Sequence, residues 1–290
     1  MVTFWVTLLA ISILLYVLLD GFDLGVGILF GWTRNESERH AMIMAVAPIW
    51  DGKLRGVAFE YRYKTQRMRW LWNWGFAGGS FAASFIQGLT VGALVEGLPV
   101  VNGQYAGGEF GWFSLFAVLC GLGLCLGYAL LGACWLVKKC EGELRERAYR
   151  LVPYLAVGLL IFLVVVFAYA LAENLRVLGR WLERPYLFIF PVIGALCVAV
   201  LAFSVRHRRD ELPFPMVVLI FLAAFGTLAI SFWPYIIPFV LTVYDAAAPQ
   251  SSLAFMFWGE GLFVFPLLLF YTAISYSVFR GKVSPTDGHY

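Results

Sequence analysis

Apolar residues run from Thr3 to Leu19 and again from Leu24 to Trp32, and the only charges between them are Asp20 and Asp23. Further apolar runs follow at intervals. Seven stretches are long enough to cross the roughly 30 Å of a bilayer's hydrocarbon as helices, near residues 4–31, 76–96, 111–137, 152–172, 186–205, 213–241 and 254–279. The pattern predicts an all-α, polytopic transmembrane bundle forming one membrane domain over residues 1–290. The sixth stretch carries Phe232-Trp233-Pro234-Tyr235 and Pro238. Proline has no backbone N–H and crowds the preceding turn, so a kink or an early exit is expected there.

Composition agrees: of 290 residues, 61% are hydrophobic, 18% aromatic and only 13% charged. That balance excludes a soluble domain. The net charge of +3 says little, because in a membrane protein the placement of charge outweighs its sum. Connections 32–75, 138–151 and 206–212 and the tail hold 18 Lys and Arg, against 3 in 97–110, 173–185 and 242–253. The positive-inside rule then sets the N-terminus outside and the C-terminus in the cytoplasm. No Lys or Arg precedes the first apolar run, so that helix is expected to be retained rather than cleaved. Gly88-xxx-Gly92 and Gly123-xxx-Gly127 are small-residue stripes that let helix backbones approach closely. Trp70, Trp72 and Trp74 read as an aromatic belt at the inner interface.

An ionised carboxylate near the bilayer centre costs roughly 3 kcal/mol, so an acid inside a span is a functional candidate by default. Asp20 and Asp23 are three apart and share a helical face, where like charges favour a shared or mobile proton. The alternative is that both sit in a wet cavity or near a helix end and only pin helices together. Other polar candidates are Asp51, Arg55, Glu60 and Gln87, together with Glu96, Glu173 and Glu260 near outer helix ends. The cluster of Asp51, Arg55 and Glu60 could gather protons at the inner face or form a solvated loop network.

Five cysteines show no CxxC or CxxCH spacing and read as buried small apolar residues. The three histidines, His40, His207 and His289, all fall in segments expected to be cytoplasmic, so no pair clamps a metal or haem between spans. No phosphate loop, zinc motif or nucleophile elbow is present, and the basic loops carry the topology signal rather than a nucleic-acid surface.

Several motifs coincide at this point: Asp20-Gly-Phe-Asp23-Leu-Gly-Val-Gly27, Asn35-Glu-Ser-Glu-Arg39, Ala47-Pro-Ile-Trp-Asp51-Gly52 and Arg55-Gly-Val-Ala-Phe-Glu60-Tyr-Arg62. With Gly79-Ser80-Phe-Ala-Ala, Gln87-Gly88, Phe232-Trp-Pro-Tyr235, Trp258-Gly259 and Phe279-Arg280-Gly-Lys282, they resemble subunit II of cytochrome bd-type quinol oxidases over nearly the whole chain. The ending and the Phe-Trp-Pro motif are similar to the cyanide-insensitive branch. The resemblance implies a bacterial inner-membrane complex in which ubiquinol reduces oxygen to water during aerobic respiration. Haem b and haem d are expected in the partner, oxidase subunit I, and no cofactor on this chain. The implied partners are subunit I, a small single-helix accessory subunit and the lipid bilayer, with no nucleic acid. In that family, acids matching Asp20 or Asp23 and Asp51, with an arginine matching Arg55, are associated with a proton path from the cytoplasm.

One departure stands out. In the family the Trp-Asp-Gly motif opens a second membrane helix and a third helix leads into the Arg-Gly-Val-Ala-Phe segment. Here Gly52 is followed directly by Lys53-Leu54-Arg55. Two spans and a turn, on the order of 45 residues, are missing by this reading. The family's nine spans become seven, and parity is kept. Two further readings stay open: a proton- or cation-coupled transporter using Asp20 and Asp23, and a truncated paralogue without function.

Overall fold

The computed structural model describes residues 1–46, 66–101, 104–172, 179, 181 and 185–278. The Gly52–Lys53 junction, Asp51, Arg55, Glu60 and Glu173 lie outside the described residues. Among those described, nine α-helices follow one another: α1 (Val2–Trp32), α2 (Glu36–Val46), α3 (Gln66–Glu96), α4 (Leu115–Lys139), α5 (Gly142–Ala172), α6 (Ile189–Arg206), α7 (Pro213–Phe232), α8 (Gln250–Met256) and α9 (Val264–Val278). Six are long and apolar enough to cross a membrane, and the pair α8–α9, bent by 43°, makes a seventh if counted as one broken span. The expected helical membrane bundle is therefore present.

The span ends show which residues set them. The sixth apolar stretch makes the early exit. Trp233 closes α7 with its N–H on the Ala229 carbonyl, 3.1 Å away, and the Trp233–Pro234 peptide is cis. The chain then forms a small antiparallel pair, Tyr235–Ile237 against Leu241–Thr242. The fourth span, α5, begins at Gly142, ten residues before the apolar run, because Glu143 to Arg150 stay helical while making ion pairs. The seventh stretch, expected as one helix over 254–279, is broken instead. A π-helical turn, Phe257–Gly261, separates α8 from α9. Two glycines in Trp258-Gly259-Glu260-Gly261 weaken the helix there, and Pro266 sits in the first turn of α9.

Helix α4 is the centre, touching α1, α3, α5 and α7. Lipid is as apolar as leucine, so membrane helices associate through close packing and polar bonds rather than the hydrophobic effect. The glycines supply that closeness. A Cβ on Gly88 would lie 2.5 Å from the Cys120 carbonyl oxygen, and one on Gly92 would lie 2.7 Å from the Ala117 Cα. That stripe brings α3 and α4 together backbone to backbone. The second stripe works differently: Gly123 and Gly127 leave room for the rings of Phe162 and Phe221. On the other side of α4, Phe22 of α1 packs on Trp135 at 4.5 Å between ring centroids, and Trp135 packs on Phe214 of α7 at 4.9 Å.

Helix α2 was not anticipated as a separate element. The Asn35 side chain accepts from the Ser37 N–H at 3.0 Å and so satisfies one of its first free donors. Its buried face is Ala41, Met42, Ala45 and Val46, and the Trp135 indole donates to the Ala45 carbonyl at 3.1 Å.

Candidate functional site

The second half of α1 carries the two acids into the bundle. From Gly21 to Phe30 most side chains are buried, whereas Leu9, Ile11, Ile13 and Tyr16 of the first half are exposed on this chain's surface. Asp20 stands at the changeover and is exposed, while Asp23 is 4% exposed. The shared face expected from their spacing is thus an edge. Three residues turn the helix by about 300°, which leaves the two side chains about 60° apart. That is enough to turn one into the bundle and the other out of it.

What surrounds Asp20 is set by the glycine beside it. Gly21 leaves space for the Tyr128 ring, whose Cε1 would be 2.6 Å from a Cβ there. Tyr128 is fully buried and stacks on Phe221 at 5.6 Å. A buried phenol needs a hydrogen-bond partner, and the Tyr128 hydroxyl donates to Gln87 Oε1 at 2.8 Å. The same amide donates through Nε2 to the Tyr16 hydroxyl at 3.0 Å. Tyr16 in turn interacts with the Asp20 carboxyl, one turn along α1. A polar chain thus runs from the buried Tyr128 of α4 through Gln87 of α3 to the exposed Tyr16 and Asp20 of α1. The sequence reading had Gln87 and Asp20 but neither tyrosine.

A second cluster gathers at the end of the bundle where α1 finishes. Arg147 donates to Glu38 at 2.7 Å and to the Trp32 carbonyl at 3.4 Å. Arg145 pairs with Asp210 at 3.2 Å, and the Tyr149 hydroxyl donates to the same carboxylate at 2.7 Å. Arg208 pairs with Glu146 at 2.6 Å and Lys138 with Glu211 at 3.1 Å. The connections after α1, α4 and α6, three of those richest in Lys and Arg, therefore meet at one end of the molecule. Glu96 is exposed at the end of α3, and Glu260 lies in the π-helical turn.

No group of three or more His, Cys, Asp or Glu that could hold a metal occurs among the described residues. Of the histidines, His40 lies on α2 and His207 caps α6. Neither lies within a candidate membrane span. The chemistry this arrangement offers is acid–base, through carboxylates and phenols.

Comparison with known proteins shows the family. The sequence model of the family "Cytochrome bd terminal oxidase subunit II" matches residues 1–54 and 53–279. Cytochrome bd-I ubiquinol oxidase subunit 2 of Escherichia coli (strain K12) is 26% identical, over 98% of this chain and 95% of that protein. Cytochrome bd ubiquinol oxidase subunit 2 of Bacillus subtilis (strain 168) is 24% identical over 97% and 96%. The first alignment runs over 362 positions while this chain has 290 residues, so the relative carries positions with no counterpart here. A chain in the structure of bd oxidase from Geobacillus thermodenitrificans shares the fold, with a TM-score of 0.57 at 14% identity, over 94% of this chain and 98% of that one. The protein is an integral, multi-pass membrane protein, and it belongs to the subunit II family of cytochrome bd terminal oxidases.

Proposed function

We propose that this chain supports a haem-bearing subunit I in a ubiquinol:oxygen oxidoreductase and carries protons toward the site of oxygen reduction through Asp20 and Asp23. Reducing oxygen to water takes up one proton per electron. A path from the cytoplasm makes the reaction electrogenic when quinol releases its own protons outside. Haem b and haem d belong to subunit I in this reading, and this chain's residues hold and pass protons. Asp51, Arg55 and Glu60 form the entrance. The N-terminus faces outward and the C-terminus the cytoplasm, in a bacterial inner membrane, and a single-helix accessory subunit joins the complex. The single membrane domain lacks one helix pair at the 52/53 junction. Two family matches that meet at Lys53 and Leu54 support that assignment.

The observation that carries the reading is the exposure of Asp20 in the middle of an apolar helix, linked to Tyr16 and Gln87. By rise it sits about 18 Å from the end of α1. A carboxylate there against lipid is costly, whereas one covered by a partner and supplied with protons has a use. The broken α8–α9 span is the feature a transporter would require, but the family match weighs against that reading.

The test is co-expression with subunit I, purification through this chain, and a reduced-minus-oxidised visible spectrum. Haem bands travelling with the chain are expected. In that complex, Asp20→Asn and Asp23→Asn slow oxygen reduction without removing the haem spectrum. Wild-type turnover in both would overturn the proton path. A chain that purifies without haem would leave the transporter and the truncated paralogue, which a cation-flux assay in liposomes separates.

A further inference from the structure

The acids are only one end of the polar chain. Tyr128 comes from α4, Gln87 from α3, and Tyr16 and Asp20 from α1, so three helices must hold their places for the contacts to exist. The donors all point one way. Because the Tyr128 hydroxyl donates to Oε1, the Gln87 amide is fixed with Nε2 toward α1. Because Nε2 donates to the Tyr16 oxygen, the Tyr16 hydrogen is left free to turn to a further acceptor. The Asp20 carboxyl, four residues on along the same face of α1, is an acceptor it can turn to. An amide is a poor proton conductor, so Gln87 sets geometry while Tyr16 and Asp20 handle the proton. The setting is rigid at its root. Tyr128 is 0% exposed, clamped between Gly21 and the Phe221 ring, and cannot swing without repacking α1 against α4.

We infer that Gln87 and Tyr128 are positioning residues of the proton path, holding the Tyr16 hydroxyl oriented on Asp20 so that this phenol and carboxyl act as one unit. The inference rests on the proton-path reading above and extends it to two helices that carry no acid of the path.

The test is turnover of the assembled oxidase in H2O and D2O for Asp20→Asn, Tyr16→Phe, Gln87→Met, Tyr128→Phe and the Tyr16→Phe/Gln87→Met double variant. Methionine keeps the length of Gln87 and removes both bonds. Gln87→Met is expected to slow turnover by about fivefold, the worth of one oriented hydrogen bond, with unchanged haem bands. Its solvent isotope effect rises above wild type, because proton transfer becomes rate-limiting. The double variant is no slower than Tyr16→Phe alone, because both changes break the same unit. A slower Gln87→Met enzyme with a wild-type isotope effect, or a double variant whose losses multiply, would overturn the inference and leave Gln87 a packing residue. Should Gln87→Met lose its haem, Tyr128→Phe carries the test. It deletes one hydroxyl and keeps the ring stack, and wild-type turnover with a wild-type isotope effect overturns the inference. Asp20→Asn separates the two levels. A slowed Asp20→Asn beside an unaffected Gln87→Met refutes the positioning role alone. An unaffected Asp20→Asn refutes the path and the positioning role with it.

Discussion

Gly25 of α1 and Gly132 of α4 meet with no side chain between them. A Cβ on Gly132 would stand 2.5 Å from both the Gly25 carbonyl carbon and the Val26 nitrogen. Backbone is the one part of a helix that cannot move aside cheaply. This crossing fixes where Tyr128 lies against Gly21, and so fixes the polar chain that ends at Asp20.

Gly132→Ala is therefore expected to lower the melting temperature of the detergent-purified chain and to reduce its yield. Overpacking of this kind costs about 1–3 kcal/mol. Gly78→Ala is the control, because a Cβ there meets nothing within 4 Å. A melting temperature unchanged in both variants would mean that α1 and α4 do not cross here.

The ion pair between Glu38 and Arg147 joins α2 to α5. The Glu38 side chain is 8% exposed and that of Arg147 35%. Removing the cation leaves a carboxylate deep in the cluster, so Arg147→Met is expected to destabilise more than Glu38→Gln, by about 2 kcal/mol. That is below the full value for a buried pair because Arg147 is partly solvated. The double variant Glu38→Leu/Arg147→Met recovers part of the loss. Denaturation of all three in one detergent checks the order.

Orientation has a direct test. The basic connections after α1, α4 and α6 gather at one end of the molecule, and the positive-inside rule predicts that this end is cytoplasmic. Alkaline phosphatase fused after Gly107 is expected to be active, and a fluorescent protein fused after Tyr290 to fluoresce. The opposite pattern would invert the topology and move the proton entrance to the other side.

Cys140 lies just past the end of α4 and is 2% exposed, and burial pushes its thiol up from an ordinary 9.0 to about 12. The thiolate is the reactive form. Maleimide is therefore expected to leave Cys140 unmodified in native membranes between pH 7 and 9 and to label it once detergent unfolds the chain. The sign follows for stability as well. An unfolded thiol ionises first, so the contribution is present below about pH 9 and is lost as the pH rises toward 12. Labelling of native Cys140 at pH 7 would show that the α4–α5 turn opens.

The spans were legible because length and apolar character decide them, and one end was legible where Pro234 sets it, but not those at Gln66 and Gly142, where charged segments stay helical. The break at Phe257–Gly261 was not, because Trp and Phe on either side kept the apolar count high while two glycines removed helix stability. Tyr16 sits four residues before Asp20, and its contact with that acid could have been read from the spacing. Tyr128 could not, because its meeting with Gln87 depends on a helix crossing set by glycines far away in sequence. Asp20 and Asp23 were found from their cost in the membrane, but their division into an exposed and a buried acid depends on which side of α1 faces α4. Asp51, Arg55 and Glu60 lie outside the described residues.

The bare first half of α1 has a consequence for the life of the chain before assembly. A free copy in the bilayer shows Tyr16 and Asp20 to hydrocarbon, and the acid is most cheaply accommodated by taking up a proton or drawing in water. Either strains the surrounding lipid and leaves the helix readable as unfinished. Covering that face removes the cost, so packing of another polypeptide over Asp20 favours the assembled chain over the free one.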